Sequence, residues 1–148
     1  MGTAYLKPIL SASLPSQFRQ IHLELARECG RPEGDIDVAY TIIAPLDENG
    51  RIDPMLWRAF RHACRVARLR PGEDNFLGHL DYHLSGGWAF HYDWNPSLPD
   101  EIGSHFANER FVEGEYVSIN ENGKMHTYRV VSVSHLSQPA FTGVGMIA

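Results

Sequence analysis

The chain is poor in cysteine and lysine and has no long apolar run. Each shortage excludes something. Two isolated cysteines, Cys29 and Cys64, cannot build a disulfide framework and read as small buried hydrophobes. No stretch reaches the roughly 18 apolar residues of a spanning helix. The first sixteen residues lack a basic start followed by a sustained apolar stretch, so no secretory signal is expected. Leu6 stands where a myristoylation signal needs Ser or Thr. These absences point to a cytoplasmic protein with no membrane partner. Also missing are the P-loop, Gly-x-Gly-x-x-Gly, His-Glu-x-x-His, Gly-x-Ser-x-Gly and Cys-x-x-Cys patterns, which argues against a standard nucleotide, zinc-protease or serine-hydrolase site.

What is present is a chain of 148 residues, 43% hydrophobic and 21% charged, long enough for one domain with a real core. Its net charge of −5 is uneven. Residues 51–70 hold six arginines against one acid, leaving −10 for the rest. That total, with only two lysines, argues against a nucleic-acid binder.

The densest chemistry lies in residues 78–94, two alternating runs around Gly86-Gly87. A three-residue loop at 85–87 sorts them by face. It pairs Leu84 with Trp88, Tyr82 with Phe90 and Leu80 with Tyr92, and sets Asp81 opposite His91 and His79 opposite Asp93. Gly87 supplies the left-handed residue that such a loop needs. His79, Asp81, His83, His91 and Asp93 then share one face, and the apolar residues share the other. His–carboxylate pairs suit general-base work or ligand hydrogen bonding, and equally a solvated sheet. Asp81, His91, His79 and Asp93 are the catalytic candidates. His79 and His83 stand about 13 Å apart along one strand, too far to share an ion, so no metal site is assigned.

Two amphipathic helices are expected. Leu14, Phe18, Ile21, Leu25 and Cys29 recur at helical spacing over 14–29. A second helix opens at Asp53-Pro54 and runs to Pro71-Gly72, with Leu56, Phe60, Ala63 and Ala67 facing inward. On it Arg58, Arg61, Arg65 and Arg68 form a stripe that could hold an acidic partner or a small anionic ligand, with His83 as a further contact. Its alternative is a solvated helix face.

Residues 36–46 read as a strand, and 115–120 with 124–134 as a hairpin about Asn122-Gly123, pairing Val117 with Tyr128 and Ile119 with His126. Helices preceding hairpins give an α+β fold: a mainly antiparallel sheet of about five strands with the two helices on one face.

Two blocks carry a resemblance. One runs from Ala44-Pro45-Leu46-Asp47 through Gly50-Arg51-Ile52-Asp53 to Trp57-Arg58, Cys64 and the stretch Arg68 to Glu73. The other is Arg110 to Ile119 followed by His126 to Val133. Over about residues 36–134 the chain resembles a group of short uncharacterised bacterial proteins, which implies a bacterial cytosolic origin and no particular activity. The second block is similar to the closing hairpin of small PUA-like barrels. The Gly-x-Lys-x-x-Glu motif of their ASCH-type members is missing, so an RNA-binding role is not carried over.

The sequence therefore suggests a small non-enzymatic binding or interaction domain, forming a homo-oligomer or meeting an acidic partner. The alternative is a small enzyme that uses His–Asp pairs, with or without a metal, on a polar or acidic substrate. It indicates no cofactor.

Overall fold

The computed structural model describes residues 14–27, 34–83, 87–93, 99–103 and 105–136, the side chain of His83 excepted. Its eight strands are β1 (Phe18–Leu25), β2 (Asp35–Pro45), β3 (Arg65–Leu69), β4 (Phe76–His83), β5 (Gly87–Tyr92), β6 (Glu101–Gly103), β7 (Tyr116–Glu121) and β8 (Lys124–His135). Each pairs antiparallel with the next, and β8 pairs antiparallel with β1. The result is a closed up-and-down barrel, not the expected α+β sheet of about five strands under two helices.

The first helix expectation failed and the second held only for its opening turns, each for an identifiable reason. In residues 18–25 the helical set Phe18, Ile21, Leu25 competes with the alternating set Ile21, Leu23, Leu25. The second prevails: Ile21, Leu23 and Leu25 point inward, while His22 and Glu24 lie on the outer side. Leu23, fully buried, has no place in the helical stripe. Cys29 and residues 28–33 lie outside the described residues.

The second helix is real but short. In α1 (Pro54–Ala59), Pro54 stands in the first turn and the Asp53 side chain accepts from the backbone N–H groups of Met55 and Leu56. Phe60 then leaves helical geometry, a single 3-10 turn covers Arg61–Ala63, and the chain becomes β3. Closing the barrel requires a strand between β2 and β4, and this tertiary demand overrides the helical spacing. Asp53→Ala is expected to cost about 1 kcal/mol of stability, with Asp53→Asn close to wild type, measured by thermal unfolding.

Turn chemistry follows the sequence more closely. Asn122 and Gly123 both have positive φ, as a two-residue hairpin turn demands, and Val117 pairs with Tyr128 and Ile119 with His126 as expected. Gly87 is left-handed, φ 80°.

Eight strands leave a bore just wide enough for side chains or one small ligand. Here side chains fill it. Ile21, Leu23, Tyr40, Ile42, Val66, Leu80, Phe90, Val117, Ile119, Tyr128 and Val130 are all fully buried inside. The apolar face of the β4–β5 hairpin packs into this bore instead of onto helices. One end is capped by α1, whose Trp57 stacks edge-on against Trp88 at 5.2 Å and donates its indole N–H to the Leu80 carbonyl. Phe106 and Phe111, between β6 and β7, complete the cap. Cys64 is buried beside it, and burial pushes its thiol up to about 12, so it is an inert small hydrophobe as expected. Among the described residues no helix is long and apolar enough to cross a membrane.

Candidate functional site

At the end of the bore opposite α1, the interior turns polar. Tyr40 and Tyr92 both donate to Glu101 Oε1 at 2.6 Å. Tyr128 donates to Glu121 Oε2, the Tyr40 hydroxyl lies 2.9 Å from that same oxygen, and Arg70 donates to Glu121 Oε1 at 2.9 Å. Arg68, stacked on Phe76, brings Nε to 3.2 Å from Glu101 Oε2 as an ion pair, but not in hydrogen-bond alignment. Burial, then the neighbouring phenols and carboxylates, keeps the three tyrosines protonated: Tyr40, Tyr92 and Tyr128 are all raised above the ordinary phenol range. Each carboxylate is charge-balanced by an arginine, and the two share three phenol protons, that of Tyr40 lying between them. Such a network is a plug that fixes strand ends.

Sequence reasoning missed this plug. Its members stand at 40, 68, 70, 92, 101, 121 and 128. The one local signal was alternation, which places Tyr40, Tyr92 and Tyr128 inward once their strands are recognised.

The His/Asp face exists and lies on the outer surface of β3 to β6. Its register differs from the expected one by two residues. Leu80 opposes Phe90, Tyr82 opposes Trp88, and His79 opposes His91. A shift of two preserves the facing of every side chain while changing every partner. Asp81 therefore opposes Ala89, not His91, and its Oδ1 accepts from the Tyr82 backbone N–H. His83 pairs with Gly87 through the backbone. Trp94 and residues 84–86 lie outside the described residues.

Across the strands, Arg65 opposes His79, and His79 opposes His91. His91 Nδ1 meets Asp100 at 2.9 Å, just ahead of β6. His79 Nδ1 meets Asp93 at 2.6 Å, and Arg65 lies 3.8 Å from the second Asp93 oxygen. The His79–Asp93 pairing anticipated from sequence thus survives as a diagonal contact. Residues scattered from 65 to 100 become one lateral row. Both imidazoles keep 40% of their side-chain surface exposed.

The hydrogen bond from His91 to Asp100 raises the His91 pKa above its ordinary value. Desolvation is the next largest influence and opposes the shift, and Asp100, Asp93 and Asp81 add to it through charge. A raised folded-state pKa means that this contribution to stability is complete below the unfolded value of about 6.5 and is lost as pH climbs through the folded value. An NMR titration of the ring should place the His91 midpoint above 6.5 in the wild type and lower in Asp100→Asn.

The arginine stripe does not form. Arg58 is exposed on α1, and Arg61 is exposed with its guanidinium 5.2 Å from the Trp57 ring centroid. Arg65 and Arg68 are strand residues, three apart and therefore on opposite faces: Arg65 joins the outer row and Arg68 the inner plug. A depression of about 600 Å³ lies on the other side of the barrel, between the ends of β1 and β2 and the start of β7, and is lined by none of these candidates. Among the described residues no group of three or more His, Cys, Asp or Glu converges as a metal cluster. Comparison with known proteins gives no matching family, no matching curated protein and no matching solved structure.

Proposed function

We propose that this chain is a small non-enzymatic binding domain of the cytosol whose contact surface is the outer face of β3 to β6. One observation carries the reading: His79 and His91 are exposed, yet each is held in one orientation by a carboxylate. Fixing an exposed side chain costs rotamer entropy that offsets much of what a surface ion pair contributes to stability, yet two such arrangements stand side by side. The inner plug is the weaker candidate, because its carboxylates are already engaged by phenols and guanidinia, although Arg68 Nε lacks a hydrogen bond.

The enzymatic alternative fares worse on the same geometry. A His–Asp dyad that moves protons in a reaction works in a concave site that excludes water. These two pairs stand on the outer wall of the barrel, and the depression at β1, β2 and β7 does not include them. An anionic partner, too, would find fewer free charges than the stripe promised. Asp93 and Glu101 sit beside Arg65 and Arg68, which leaves Arg58 and Arg61 on the cap.

The test is two-dimensional NMR of the uniformly ¹⁵N-labelled full chain, titrated separately with inorganic phosphate, a poly-acidic peptide, a poly-basic peptide and divalent metal salts. Shifts confined to β3–β6 with any one probe support the reading. Shifts confined to the plug or to the β1–β2 depression would overturn it.

A further inference from the structure

The pairing of β4 with β5 puts two imidazoles at directly opposed positions on adjacent strands. We propose that His79 and His91 form a two-imidazole site for a borderline divalent metal ion, zinc, nickel or copper, bound through Nε2 of both rings. This rests on the outer face being the binding surface.

Directly opposed residues on antiparallel strands place their Cβ atoms about 5 Å apart, within reach of a shared ion. The pairing of His79 with His91 meets that condition. His79 with His83, about 13 Å apart on one strand, does not.

The tautomer follows from the partners. Ionised Asp93 and Asp100 only accept hydrogen bonds, so the Nδ1 atom that faces each of them carries the proton. In the neutral ring the lone pair is then on Nε2. A carboxylate on one ring nitrogen and a free lone pair on the other is the arrangement found behind metal-bound histidines. The carboxylate fixes the ring and raises its basicity.

Charge favours a cation. Arg65 contributes one positive charge to the face, and Asp81, Asp93 and Asp100 contribute three negative ones. With neutral imidazoles the face is negative, so an oxyanion is repelled and a dication attracted. Paired nitrogen donors select zinc, nickel or copper over magnesium or calcium, which prefer oxygen. The protein supplies two donors and water the rest, so binding is weaker than at a four-ligand structural site.

The experiment is isothermal titration of the untagged full chain with zinc chloride and nickel chloride, together with NMR of the histidine rings. We expect one ion per chain, with Nε2 of His79 and His91 perturbed. Binding should fall at least tenfold in His79→Gln and in His91→Gln, with barrel circular dichroism unchanged. Asp93→Asn and Asp100→Asn should each weaken it by about tenfold or more through loss of the orienting carboxylate. His22→Gln and His62→Gln serve as controls and should bind as wild type. The proposal is overturned if wild type takes up neither metal at millimolar concentration, or if the His79/His91 double variant binds as wild type. A face that responds to a peptide or phosphate but to no metal would sink the metal site and leave the binding reading standing. A face that responds to no probe would end both.

Discussion

Glu101→Ala should destabilise the barrel by about 3–5 kcal/mol, the usual result of removing one partner from a buried charge pair. Glu101 is 8% exposed and receives hydrogen bonds from Tyr40 and Tyr92 on a single oxygen, with Arg68 beside the other. Its removal leaves the Tyr92 phenol short of an acceptor and a guanidinium without its nearest counter-charge. Tyr40 can still donate to Glu121, so the larger loss falls on Tyr92 and Arg68. In a domain of this size such a loss lowers the melting temperature by roughly 10 °C. Tyr92→Phe, which removes one donor and no charge, should cost only about 1 kcal/mol. Equal effects from the two variants would show that Glu101 is not the centre of the plug. Thermal and urea unfolding read both.

Gly78→Ala should be at least as damaging. A Cβ at this position would collide with the backbone of the next strand, at the carbonyl of His91 and the Cα of Tyr92. Neither can move as a flexible side chain would, so β4 and β5 must separate. Over-packing of this kind costs about 3 kcal/mol or more when backbone has to shift. The prediction separates further from an ordinary core change because His91 belongs to the outer row. A folded Gly78→Ala protein should also show altered His79 and His91 ring signals, which Gly72→Ala, with open space around its Cβ position, should not. Gly103→Ala makes a useful comparison. Its Cβ would lie 2.6 Å from the fully buried Phe106 ring, which packs against Phe90 and Phe111, so it strains a side chain of the cap and not the backbone of β5.

Local chemistry made part of this fold legible in the sequence. Asn122-Gly123, Asp53-Pro54 and Gly87 each impose a backbone geometry that few other residues allow, and all three do what their chemistry requires. The sorting of residues 78–93 into a polar and an apolar face was also readable, because facing depends only on parity. Their partners were not, because a slip of two residues leaves parity unchanged, and the choice is made by β3 and β6 on either side of the hairpin. Residues 18–25 and 65–69 were misread because apolar residues three or four apart satisfy both a helix and part of an alternating strand. Only Leu23 in the first segment and the inward Val66 in the second separate the two. The inner plug was least accessible of all. Tyr40, Arg70, Glu101 and Glu121 come from distant parts of the chain and meet only when β8 closes on β1.

The His79–His91 pair, and with it the reading of the outer face, depends on one register. The Asp93 N–H donates to the Leu77 carbonyl across β4 and β5, which makes 77 with 93, and by alternation 79 with 91, the hydrogen-bonded positions. Leu80 and Phe90 then occupy a non-hydrogen-bonded position, where Cα atoms approach to about 4.5 Å and α-protons face each other. The direct measurement is the pattern of α-proton nuclear Overhauser effects between β4 and β5. A strong Leu80–Phe90 cross-peak is the expected result. A strong Leu80–Tyr92 cross-peak in its place would set His79 opposite Asp93 and contradict the account.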